Sequence, residues 1–87
     1  MLQEEITKHI KKLPYPLLEE EKLKEVLKKR LTKKEFKLIE YNIANLAMDE
    51  KLKNLNVDQE RFDEIYKGLI KKLNYEKIKH QLMHIKE

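Results

Sequence analysis

Apolar residues recur along the chain at intervals of three and four, the spacing that gathers them on one face of a helix. Leu2, Ile6, Ile10 and Leu13 form the first such stripe and predict a helix over residues 2–13, charged on its other sides. Leu13-Pro14-Tyr15-Pro16 ends it, because proline supplies no N–H donor and pushes the residue before it out of the helical region. Two prolines around one tyrosine make a stiff connector. A second helix is expected over residues 17–31, carrying Leu23, Val26, Leu27 and Leu31. Glu19 to Glu21 stand early in it and Lys28 to Arg30 late, an order that suits the helix dipole at both ends.

The stretch from Leu31 to Leu73 holds the densest punctuation. Thr32 followed three residues later by Glu35 is a capping box, which starts a helix near Lys33, and Phe36, Ile39, Ile43 and Leu46 give that helix its apolar face. Asp49 is placed to cap a short helix with Leu52 and Leu55. Asn56-Val57-Asp58 interrupts it, and Asp58 is placed to cap a third helix that buries Phe62, Ile65, Tyr66, Leu69, Ile70 and Leu73. Short helix, tight turn and longer helix are the parts of a helix-turn-helix unit. After it, Asn74 can take the left-handed conformation that ends a helix, and a last helix from about Tyr75 aligns Ile78, Leu82 and Ile85. That stripe either folds back on Leu2, Ile6 and Ile10 or pairs with its copy as a dimer seam. The expected fold is thus all-α: a small bundle of about five to six helices in one domain, residues 1–87. Within it, 1–31 is an N-terminal helical pair, 32–73 a helix-turn-helix-like core and 74–87 a C-terminal helix.

Val57-Asp58-Gln59-Glu60-Arg61-Phe62, then Ile65, then Lys72-Leu73, resembles the closing motif of the C-terminal, promoter-reading domain of bacterial sigma factors. Leu31-Thr32-Lys33-Lys34-Glu35 resembles the L-T-x-x-E that opens the first helix there and in LuxR-type regulators. The resemblance covers about half the chain. It implies a transcription-related protein, with duplex DNA or a transcription-related protein as partner. Residues 58–73 would be the recognition helix, reading bases through Gln59, Glu60, Arg61 and Glu64, while Lys33, Lys34, Lys37, Lys67 and Lys71 contact phosphates. In LuxR-type domains the helix corresponding to residues 75–85 commonly pairs two copies. The sequence departs from the families where a scaffold helix has an apolar residue and then a small one, since Lys51 and Leu52 stand there. It also departs in the acidic front of the recognition helix, where Asp58, Glu60, Asp63 and Glu64 face Arg61 alone. A non-enzymatic adaptor that keeps the fold and binds another protein is the alternative.

Charge distribution sharpens that choice. The net charge is +4, yet residues 48–66 carry −3 and residues 67–87 carry +4, so the basic surface is not on the face the motif would present to DNA. With no Cys, disulfides and thiolate metal sites are excluded. His80 and His84 share a helical face, but two imidazoles fall short of the three or four ligands of a zinc site, and no metal or cofactor is expected. One Gly, no Ser and no phosphate-cradling loop argue against an enzyme. Nothing approaches the ~20 consecutive apolar residues of a membrane span, and MLQEEITKHIKK lacks the apolar centre of a signal peptide, so a cytoplasmic address is expected.

Overall fold

The computed structural model describes residues 2–84 and contains six helices: α1 Leu2–His9, α2 Glu20–Arg30, α3 Lys33–Ile43, α4 Met48–Leu55, α5 Gln59–Asn74 and α6 Glu76–Leu82. Among the described residues eight large side chains are fully buried: Ile6, Leu23, Leu27, Leu38, Ile39, Leu69, Leu73 and Leu82. They come from every helix except α4, so the N-terminal pair and the C-terminal helix close the same core as α3 and α5. α5 packs on α1, α3 and α6, while α2 packs on α1, α3 and α6. α4 leans on α3 and buries only Leu55.

The capping box at the start of α3 forms as the sequence predicts. Glu35 N donates to Thr32 Oγ1 at 3.2 Å and Thr32 N donates to Glu35 Oε1 at 2.9 Å. Asp58 likewise caps α5, its Oδ1 accepting from Arg61 N at 2.8 Å. The three-residue turn before it opens with Asn56 in the left-handed region, φ 57° and ψ 48°, a conformation Asn tolerates better than most side chains. Asp49 does not cap α4. Ala47 holds that position, and Asp49 lies in the first turn, where its charge still complements the dipole.

Elements at the two ends depart further from the periodicity. α1 stops at His9 rather than Leu13, because Asn74 reaches across from α5: its Nδ2 donates to His9 O at 2.9 Å and its Oδ1 accepts from Lys11 N at 3.0 Å. Asn74 itself stays in the last helical turn of α5 and is not left-handed; among the described residues that conformation belongs to Asn45 and Asn56. α2 starts at Glu20, not Leu17. Pro14 and Pro16 keep the preceding segment out of a helix, and residues 16–18 pair with the exit of α6: Leu18 N donates to Leu82 O at 2.9 Å and His84 N to Pro16 O at 2.7 Å. α3 ends at Ile43, which leaves Ile43 39% exposed and Leu46 outside the helix. Leu38, off the predicted stripe, is fully buried because α3 packs on α1, α2 and α5 at once. On α5, Phe62, Ile65, Leu69 and Leu73 are buried as expected, whereas Ile70 is half-buried and Tyr66 is exposed, its ring stacked parallel to Phe62.

α6 decides where the C-terminal stripe goes. Leu82, expected either to fold back on α1 or to form a dimer seam, is fully buried inside the chain, and Ile78 is half-buried against the same core. Ile85 lies outside the described residues. The helix folds back, but onto α2 and α5 rather than onto the stripe of α1, so Leu82 has no surface left to offer a second copy.

Gly68 marks the crossing of α3 and α5. A Cβ there would lie 3.3 Å from Glu35 Oε2, while Glu35 Oε1 is held by Thr32 N and by Lys72 Nζ at 2.8 Å. At an exposed helical site Gly68→Ala would add about 1 kcal/mol. Here the carboxylate cannot retreat without loosening the cap, so the variant is expected to lose stability in urea denaturation. In a Glu35→Ala background the same change should become stabilising, and equal effects in both backgrounds would show that the two residues do not interact.

Candidate functional site

Core packing of Phe62, Ile65 and Leu69 turns the opposite side of α5 outward, and Gln59, Glu60, Arg61 and Glu64 are all exposed there. Helical spacing extends this strip from Glu60 and Glu64 to Lys67 and Lys71, both exposed. The start of α3 lies beside it. Thr32, Lys33, Lys34 and Glu35 line a shallow cavity of about 410 Å³ together with Arg61, Glu64 and Ile65. Two of the lysines assigned to phosphates thus flank the arginine assigned to bases. Lys37 is not among them; it opens onto a groove between α2 and α3.

Three of the four side chains expected to read bases, Gln59, Arg61 and Glu64, are engaged within their own helix. Arg61 Nη1 lies 2.9 Å from Glu64 Oε2, and Gln59 Nε2 donates to Asp63 Oδ1 at 2.9 Å. Both members of the Arg61–Glu64 pair are well exposed, so the pair costs little to open. The carboxylates remain whatever the arginine does. Glu60, Asp63 and Glu64 are exposed on the first two turns, and Asp58 stands at the cap.

A second polar cluster, which the sequence reading did not single out, joins four helices. Glu5 on α1 is buried; its Oε2 lies 2.6 Å from His9 Nε2 and accepts from Asn42 Nδ2 of α3 at 3.2 Å. Asn42 Oδ1 accepts from Lys51 Nζ of α4 at 2.6 Å. On the other side of the imidazole, Tyr66 of α5 sets its hydroxyl 3.5 Å from His9 Nδ1 and its ring edge-on to the histidine. The only trace of this in the sequence is the four-residue spacing of Glu5 and His9 next to an apolar stripe; Asn42, Lys51 and Tyr66 come from distant positions. Among the described residues no buried side-chain nitrogen or oxygen lacks a partner. The cluster therefore fastens α1, α3, α4 and α5 together.

His80 Nε2 lies 3.2 Å from Glu76, and the described residues contain no cluster of three His, Cys, Asp or Glu side chains that could hold a metal. None of their helices is long and apolar enough to cross a membrane. Compared with protein-family models, with curated proteins and with solved structures, the chain shows no match.

Proposed function

We propose that residues 32–73 act as a helix-turn-helix-like binding module of a transcription-related protein, and that the module is an adaptor whose α5 front meets a basic surface on another protein. The observation that carries this reading is electrostatic. Glu60, Asp63 and Glu64 are exposed on the leading turns of α5, and the single arginine among them is already paired with Glu64. Phosphates repel carboxylates, and most non-specific affinity for duplex comes from Lys and Arg neutralising the backbone. A surface of this sign complements Lys- and Arg-rich protein surfaces and steers encounters with them.

Direct reading of duplex DNA is the second possibility, and one observation favours it: Lys33 and Lys34 flank Arg61 around one cavity, as phosphate contacts flank a base contact. Titration of a labelled duplex at increasing salt separates the two readings. The adaptor predicts no binding even at low salt, binding that appears once Asp63→Lys and Glu64→Gln remove two carboxylates, and loss of a basic partner from cell extract by that same double variant. A DNA reader predicts affinity that falls steeply with salt and weakens by about 1–3 kcal/mol in Arg61→Ala. Steep salt-dependent binding by the parent protein would overturn the adaptor reading.

A further inference from the structure

The hairpin of α2 and α3 carries a groove whose charge reverses from one end to the other. Two depressions of about 340 and 410 Å³ adjoin and share Lys24, Phe36 and Glu40. Beyond these, one end is lined by Glu20, Glu21, Leu2 and Ile43, and the other by Lys28, Lys33 and Lys37 with Leu31 and Thr32. Among the described residues Glu21, Glu40, Lys28 and Lys37 are exposed and none is in an ion pair within the chain. The floor is apolar: Phe36 lies under the Lys28 ammonium at 5.8 Å, and Ile43 is 39% exposed.

From this polarity we infer that the α2–α3 groove is where a second copy of this chain docks. A surface that is acidic at one end and basic at the other complements itself when a two-fold axis lies in the contact plane and crosses the groove at its middle. Each copy then meets the same patch of the other in reverse, as an isologous contact requires. The axis sets α2 antiparallel to its own copy and α3 likewise. Glu21 comes opposite Lys28 of the second copy, Glu40 comes opposite its Lys37, and Phe36 and Ile43 are covered between them. Uniformly acidic or basic partners match only half of the groove. Lys24 sits near the axis, where two like charges meet, and the apolar floor is small, so the association is weak and salt-sensitive. The inference concerns a face separate from the α5 front and does not rest on the adaptor reading.

Two charge swaps test it. Lys28→Glu with Lys37→Glu reverses two of the three cations at the basic end, and Glu21→Lys with Glu40→Lys reverses two of the three carboxylates of the groove; Glu20 is left alone because its carboxylate also accepts from Leu2 N and Gln3 N at 3.1 Å. Sedimentation equilibrium at low salt, with circular dichroism to verify folding, should show the parent's mass rising toward two chains as concentration increases. Each swapped variant alone should stay at the mass of one chain, and an equimolar mixture of the two should rise toward twice that mass. Lys24→Gln should lower the concentration at which the parent dimerises. A parent that stays monomeric at millimolar concentration, or folded swaps whose mixture does not associate, would overturn the inference. So would a monomeric parent that binds duplex DNA and loses this binding in Lys28→Glu with Lys37→Glu, which would assign the groove to phosphates.

Discussion

Leu82→Asp is expected to unfold the protein. Leu82 has no exposed surface, it is flanked by α2 and α5, and its carbonyl accepts the hydrogen bond from Leu18 N that fixes the N-terminal connector. Burying a leucine of this kind contributes roughly 1.5–3 kcal/mol, and placing a carboxylate in the same space adds several more because the charge is taken out of water. A loss above about 4 kcal/mol is a large share of the 5–15 kcal/mol that keeps an ordinary domain folded. Circular dichroism should show the helical signal lost at room temperature. A folded variant with the parent's melting temperature and half its mass would instead mean that the helix is the dimer seam expected from its apolar stripe.

Glu5→Ala should be the next most damaging change. The substitution leaves His9 Nε2 and Asn42 Nδ2 without their acceptor in a site where the Glu5 side chain is only 8% exposed and the His9 side chain 11%. Each unpaired buried polar group costs about 1–3 kcal/mol, so a drop of about 2–4 kcal/mol is expected in urea denaturation, with the m-value unchanged. Glu5→Gln keeps the shape and one acceptor oxygen and should lose about half as much. A drop within 0.5 kcal/mol for Glu5→Ala, the range of ordinary surface substitutions, would show that the cluster does not hold the helices.

What was legible in the sequence is what depends on neighbours in the sequence. Thr32 with Glu35, Asp58 with Arg61 N, and four of the six residues expected to face inward on α5, Phe62, Ile65, Leu69 and Leu73, are local patterns that appear as predicted, whereas Tyr66 and Ile70 do not. The outward placement of Gln59, Glu60, Arg61 and Glu64 follows from the same period. Two local readings failed as well, since Asp49 does not cap α4 and Asn74 is not left-handed; the other misses depend on remote partners. His9 ends α1 because Asn74 is there to take its carbonyl, Leu38 is buried because α3 packs on α1, α2 and α5 at once, and Leu82 folds back onto α2 and α5 rather than onto the stripe of α1. Nor could periodicity show that Lys33 and Lys34 would stand beside Arg61 while Lys37 turned toward Lys24 and Lys28. The sharing of Glu35 between its cap, Lys72 and the space over Gly68 is equally a product of the crossing of α3 and α5.

The pairing of Pro16 and Leu18 with the exit of α6 has a consequence for how the protein comes into being. During synthesis the connector emerges early, but His84 and Leu82 leave the ribosome only after the intervening helices. Closing so long a loop brings its entropic cost before any contact rewards it, so this junction forms late. Until then Leu23 and Leu27 of α2 lack one wall of their core, and the nascent chain exposes apolar surface for as long as translation of the remaining residues takes. In the mature protein the same junction should open before the α3–α5 crossing does. The amide protons of Leu18 and His84 should therefore exchange with solvent faster than those of Leu69 and Leu73, which lie in the middle of the core.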